Sequence, residues 1–152
     1  VENNLFASHM HIDLRQPHNS TARFAEAHGI PFKVIDGNNL TDIYEASQEA
    51  VKYCRQNKGP YFIEAMTYRW RGHVGPREDT DVGVMRKDDL NTWKKRDPIR
   101  RLKDSLINKN VLSENDFNEI TKLIDKNLVE QWQKALDAPY PPKSLLTEIV
   151  YK

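Results

Sequence analysis

The sequence predicts an α/β fold, a mostly parallel sheet flanked by helices, followed by a helical tail. Three observations predict it. Short apolar, β-branched runs alternate with helix-period segments over residues 21–68, the pattern of a parallel sheet with helices on its faces. Residues 69–86 then carry Gly72, Gly75, Pro76 and Gly83 and no apolar period, a loop of a length that is usually functional or disordered. From Lys87 to Trp132 helical spacing recurs.

The elements follow in order. Residues 21–28 read as a short helix, capped by Ser20 or Thr21 and stopped by Gly29. Phe32–Ile35 reads as a strand closed by the turn residues Asp36-Gly37-Asn38-Asn39. A helix starts at Thr41, with Ile43, Ala46, Ala50, Val51 and Cys54 as one buried stripe. Lys52 and Arg55 suit its negative carboxy end, and Gly59-Pro60 ends it. Tyr61–Tyr68, rich in aromatic and branched residues, reads as the next strand. Lys87–Lys95 is expected as a short helix. Asp97 caps the next, with Pro98 at its first position and Ile99, Leu102, Leu106 and Ile107 on its apolar face. Ser113 caps a long helix, with Asp116 three residues on and a stripe of Phe117, Ile120, Ile124, Leu128 and Trp132. The segment 145–152 is expected as a strand or an extended tail.

Composition narrows the function classes. The 152 residues suffice for about one domain. Only 38% are apolar and 30% are charged, so the chain either exposes much helical surface or shares its core with another polypeptide. The 23 basic and 22 acidic residues nearly cancel, and no basic field argues for a nucleic-acid partner. No apolar run reaches the roughly 20 residues of a membrane helix. The single cysteine, Cys54, excludes an internal disulfide and offers no zinc spacing. Its place on the apolar stripe reads as core rather than nucleophile. The opening Val1-Glu2-Asn3-Asn4, without a methionine or a signal pattern, reads as truncated.

Three constellations could carry chemistry. In Glu2-Asn3-Asn4-Leu5-Phe6 a carboxamide oxygen could serve as a hard neutral ligand for magnesium, or the segment could be a plain turn. In Tyr68-Arg69-Trp70-Arg71-Gly72-His73 two guanidiniums and an imidazole could gather at a phosphate, or form a basic surface loop. His9, His11, His18 and His28 offer no recognised zinc spacing. His9 and His11 would share a strand face, and His28 sits at a helix end.

Taken in order, Asn3-Asn4, Ile35-Asp36-Gly37-Asn38, Lys58-Gly59-Pro60, Tyr68-Arg69-Trp70-Arg71-Gly72-His73 and Arg96-Asp97-Pro98-Ile99 resemble the α subunits of the pyruvate, branched-chain and acetoin dehydrogenase family. The resemblance runs from Glu2 to Pro141-Pro142. It implies a thiamine-diphosphate-binding fold. It implies Asn4 as a magnesium ligand through its side chain and Phe6 as a ligand through its backbone carbonyl. It implies His73 as the loop histidine that reaches the cofactor diphosphate and assists acyl transfer, and Arg69 as a cofactor-side residue ordering the loop or the phosphate. The family's opening Gly-Asp-Gly is absent here, so its aspartate ligand is expected before Val1. Ala7-Ser8-His9-Met10 replaces the usual glycine-rich stretch, which leaves the substrate open and could bring His9 or His11 toward it. Val74 stands where mitochondrial relatives carry a regulatory serine, which points to a bacterial-type, cytoplasmic enzyme.

The same resemblance implies further components. They are thiamine diphosphate, Mg2+, an E1 β subunit in an α2β2 heterotetramer that supplies the activating glutamate, a lipoyl-bearing acyltransferase, and the missing amino-terminal part of the same subunit. Residues 1–86 would be the carboxy-terminal half of the cofactor-binding α/β domain, with active-site loop 69–86. Residues 87–152 would be a helical tail for subunit docking. The implied activity is decarboxylation of a 2-oxoacid with acyl transfer to a lipoyl group. A hydroxyketone-cleaving thiamine enzyme and a catalytically silent assembly module remain as alternatives.

Overall fold

The computed structural model describes residues 1–77 and 87–148, with only the backbone of 87–89. These residues form two compact units, Val1–Ser105 and the chain from Leu106 onward.

The first unit is the expected α/β layer. Strand β1 (Glu2–Asn3) is followed by a small hairpin of β2 (Phe6–Ala7) and β3 (Met10–His11), a 3-10 turn over Ile12–Leu14, and helix α1 (Ala22–Ala27). Strand β4 (Phe32–Asp36), helix α2 (Leu40–Arg55) and strand β5 (Phe62–Met66) complete the α/β alternation. The main sheet has the order β1-β5-β4 and is parallel throughout, with Asn3 opposite Met66 and Asp36 opposite Met66 on the other side. All three strands therefore end at one edge.

Local chemistry explains the boundaries. Gly29, at φ 64°, takes the left-handed conformation that stops α1. The Asn39 carboxamide caps α2 by accepting from Thr41 N at 3.2 Å. Gly37 N donates to Met66 O at 2.8 Å. A Cβ on Gly37 would lie 2.8 Å from that same oxygen, so only glycine allows the turn after β4 to lie this close to β5.

The stripe expected on α2 is only partly buried. Ala46 is fully covered, but Val51 and Cys54 are exposed, which corrects the core role given to Cys54. A 16-residue helix is about 24 Å long. The five-residue strands beneath it span about 17 Å, so its carboxy-terminal turns have no sheet to cover them.

Helix α3 (Lys87–Lys94) precedes α4 (Pro98–Asn108). Asp97 Oδ1 caps α4 by accepting from Ile99 N at 2.8 Å and Arg100 N at 3.0 Å. Helix α5 (Glu114–Asp137) opens on a complete capping box, Ser113 Oγ accepting from Asp116 N while Asp116 Oδ2 accepts from Ser113 N. Its apolar stripe, Ile120, Leu123, Ile124, Leu128 and Trp132, is exposed. The segment expected as strand or extended tail begins instead as one helical turn, α6 (Leu145–Glu148). Helix α5 closes at Asp137, ahead of Pro139, and in the new turn Leu145 N donates to Pro142 O at 3.0 Å. Residues 149–152 and 78–86, including the second half of the expected active-site loop, lie outside the described residues. Among the described residues no helix is long and apolar enough to cross a membrane.

Candidate functional site

Because β1 and β5 are parallel neighbours, the segments after them leave side by side at the carboxy edge of the sheet. Open α/β sheets bind ligands at that edge. Both of the most specific motifs in the sequence fall there.

The first segment is residues 4–12. Asn4 Oδ1 accepts from Phe6 N at 3.1 Å, an Asx turn. A carboxamide oxygen has two acceptor directions, so this bond uses one. Leu5 sits at φ 69° and Ser8 at φ 52°, both left-handed. For a residue with a Cβ that conformation costs about 1–2 kcal/mol, so it persists only where the surroundings impose it. Around Leu5 they do so: its N–H donates to Asn3 Oδ1 at 3.1 Å, and its carbonyl accepts from Ile12 N at 2.7 Å.

The second segment is residues 67–77. Arg69 spans the two. Its Nη2 donates to Ser8 O at 2.6 Å, its Nε donates to Arg71 O at 3.1 Å, and its Nη1 lies 3.3 Å from His73 Nδ1. The guanidinium carbon lies 5.9 Å from the centre of the Phe6 ring, within cation–π range. Phe6 also meets Tyr68 edge-on at 5.6 Å and His11 at 5.1 Å. Tyr68 is buried and stacks on Trp93 at 5.7 Å.

The structure thus joins Phe6, Arg69 and His73 in one chain of contacts, with Asn4 tied in through the Phe6 backbone. His11 belongs to the same cluster, its Nδ1 3.0 Å from Asp13 Oδ2. Arg71 turns toward Pro76 O, at 3.3 Å. His9, His18 and His28 are exposed, and among the described residues no contact links them to this cluster.

Two carboxylates beside the site, the buried Glu64 and the half-buried Asp36, hold hydrogen-bond networks that sequence reasoning missed. Glu64, in the middle of β5, is 0% exposed. Burial pushes its pKa up, but hydrogen bonds from Ser20, Thr21 and Asn3 outweigh this and hold it below the usual carboxylate value. Asp36, at the end of β4, receives Arg96 at 2.8 Å and Arg101 at 2.9 Å. Its burial also raises the pKa, and Arg101, the Asn38 N–H and Arg96 reverse that to a net lowering. Asn38, almost fully buried, donates to Arg96 O at 3.0 Å and accepts from Thr67 Oγ1 at 2.7 Å. The Asp-Gly-Asn turn after β4 is therefore locked to the residues that start α4. The only sequence signal for Glu64 was a lone carboxylate inside an otherwise apolar strand.

The donor set suits a hard cation and an anion together. Amide and carbonyl oxygens at Asn4 and Phe6 are magnesium-type ligands, and guanidinium and imidazole N–H groups favour phosphate. Among the described residues no three His, Cys, Asp or Glu side chains gather in a metal-binding group.

Fold and edge together define the class: an α/β protein whose candidate site sits at the carboxy ends of parallel strands. A family model described as dehydrogenase E1 component matches residues 1–144, and the chain belongs to that family. It is 33% identical over 151 residues to the chloroplastic pyruvate dehydrogenase E1 component subunit alpha-3 of Oryza sativa subsp. japonica, covering 99% of this chain and 35% of that protein. It is 30% identical to the pyruvate dehydrogenase E1 component subunit alpha of Porphyra purpurea, covering 99% of this chain and 43% of the relative. To the somatic, mitochondrial form from Homo sapiens it is 32% identical over 133 residues, 87% of this chain and 34% of that protein. The chain thus spans well under half the length of these relatives.

Proposed function

We propose that this chain is the carboxy-terminal part of a thiamine-diphosphate-dependent 2-oxoacid dehydrogenase E1 α subunit. On this reading the whole protein decarboxylates a 2-oxoacid and passes the acyl unit to the lipoyl group of a partner acyltransferase. The observation that carries the reading is the Arg69 bridge from Ser8 O to His73 Nδ1, which holds the Asn-Asn segment and the loop histidine at one sheet edge.

Within this reading, Asn4 Oδ1 and the Phe6 carbonyl would hold Mg2+, and Arg69 and His73 would face the diphosphate. Thiamine diphosphate, when bound, supplies the electron sink for decarboxylation. The chain's own residues orient and neutralise. Arginine nitrogens only donate, so the contact with Arg69 leaves Nδ1 of His73 as acceptor and the ring hydrogen on Nε2. His73 can then donate a hydrogen bond from Nε2 to an anionic oxygen, and that donor would stabilise charge developing during acyl transfer. Arg69, bonded to two backbone carbonyls as well, is the residue that orients this imidazole.

Residues 1–86 would supply the cofactor face. Residues 87–152 would dock subunits, an assignment supported by the apolar stripe that α5 leaves exposed. The E1 β subunit, in an α2β2 assembly, would complete the site and contribute the activating glutamate. Val74 follows His73 without a hydroxyl to phosphorylate, which favours a bacterial-type, cytoplasmic enzyme.

The test is reconstitution. The full-length α chain, its β partner, thiamine diphosphate and Mg2+ are combined and offered pyruvate, branched-chain 2-oxoacids and acetoin. Release of carbon dioxide from a 2-oxoacid supports the reading. Turnover of none of them contradicts it, and turnover of acetoin alone points to a hydroxyketone-cleaving enzyme.

A further inference from the structure

We propose that Glu64 and Asn3 form a buried strut that positions the Asn4–Phe6 segment, making both of them positioning residues for the metal-ligand loop. The inference rests on the magnesium role proposed for Asn4 and Phe6.

Glu64 has 0% of its surface exposed, and it is held by neutral donors. Its Oε1 accepts from Asn3 Nδ2 at 2.7 Å, from Thr21 N at 2.7 Å and from Thr21 Oγ1 at 3.0 Å. Its Oε2 accepts from Ser20 Oγ at 2.5 Å and Ala22 N at 3.1 Å. A buried carboxylate is tolerated only with such saturation, and five bonds leave it one orientation.

Asn3 inherits that orientation. Its second amide hydrogen goes to Asn19 O at 2.8 Å, so both donors of Nδ2 point at acceptors and the carboxamide cannot flip. Oδ1 is left facing Leu5 N, which it receives at 3.1 Å. That bond holds Leu5 at φ 69°, a conformation leucine rarely takes on its own. The residues on either side of Leu5 are Asn4 and Phe6. A carboxylate in the sheet core therefore determines how the two candidate ligands are presented, although it touches neither.

A purely structural role, pinning the start of α1 to the sheet, would use the Ser20, Thr21 and Ala22 bonds alone. The two roles separate through Leu5. Glycine adopts positive φ without a Cβ penalty, so Leu5→Gly supplies from the backbone what the Asn3 bond otherwise imposes. In the assembled enzyme, calorimetry follows thiamine diphosphate binding as Mg2+ is varied. Asn3→Ala is expected to raise the magnesium concentration for half-maximal binding by about tenfold or more, as lost outer-shell partners do. Adding Leu5→Gly is expected to recover most of that loss while leaving any fall in Tm unrepaired. Glu64→Gln, which keeps shape and volume, is expected to shift the magnesium dependence in the same direction and serves if Asn3→Ala fails to assemble. Wild-type magnesium dependence in Asn3→Ala or Glu64→Gln, or no recovery with glycine, overturns the strut. Absence of magnesium-dependent binding in the wild type overturns the metal reading itself, and the strut with it.

Discussion

Arg69 Nη2 donates to the Ser8 carbonyl at 2.6 Å, joining the turn after β2 to the segment after β5 across 61 residues of sequence. The same guanidinium reaches His73. A lysine could keep the charge but not this three-way geometry, because its ammonium is a point donor without a planar fork. Arg69→Lys is therefore expected to behave nearly as Arg69→Ala. Each should lower acyl transfer to a lipoyl acceptor by about 10- to 100-fold. Single-turnover acylation assays check it, and near-wild-type rates in Arg69→Lys would show that charge alone matters.

His73 is exposed and sits outside the sheet core. Its replacement by alanine is expected to reduce lipoyl acylation by about 10²–10³-fold, the usual weight of a lost hydrogen-bond donor to a developing anion. The thermal midpoint should hardly move. Equal acylation by mutant and wild type would remove His73 from the chemistry, and a large fall in the midpoint would make its role structural.

Gly37→Ala places a Cβ 2.8 Å from Met66 O and 3.1 Å from Met66 C. Both are backbone atoms of a paired strand and cannot swing aside. A loss of about 1–3 kcal/mol is expected, read as a lower urea midpoint. An unchanged midpoint would mean that the turn after β4 can shift without cost.

Asp36 gives a pH dependence whose sign is fixed. Its pKa is lower folded than unfolded, so its stabilising contribution is complete above the unfolded value. It is lost as pH falls through the folded one. Below about pH 4, the ordinary aspartate range, the wild type should lose stability faster than Asp36→Asn, while at pH 7 the variant should be the weaker protein. Urea midpoints from pH 7 to pH 3 decide it. Parallel curves for the two proteins would leave Asp36 without a stabilising charge.

Turn chemistry and capping were the parts of the fold most legible in the sequence. Asp36-Gly37-Asn38, Asp97-Pro98 and Ser113 act over two to four residues, and each does locally what its residue types predict. The alternation of strands and helices gave the parallel sheet for the same reason. Helical periodicity, by contrast, shows which face is apolar but not what covers it. Cys54 on α2 therefore lies exposed on a face that reads as core, and the apolar stripe of α5 with Trp132 lies exposed as well. In the candidate site, Phe6, Arg69 and His73 are singled out by sequence and brought together, while Arg71, which reads either as a phosphate partner or as part of a basic surface loop, bonds Pro76 O. Glu64 was not legible, because its partners Ser20, Thr21 and Asn3 lie 42 or more residues away. No local pattern distinguishes such a buried carboxylate from one on a solvent face.

The central claim is that the Asn4 segment and the Arg69–His73 segment act on one metal-bound diphosphate. A double-mutant cycle tests it most directly: thiamine diphosphate affinity at fixed Mg2+, measured in the assembled enzyme for wild type, Asn4→Ala, Arg69→Ala and the double variant. Groups that serve one bound ligand are coupled, so the double variant should lose clearly less affinity than the product of the two single losses. Losses that simply multiply, or a wild type that does not bind the cofactor, would contradict the account.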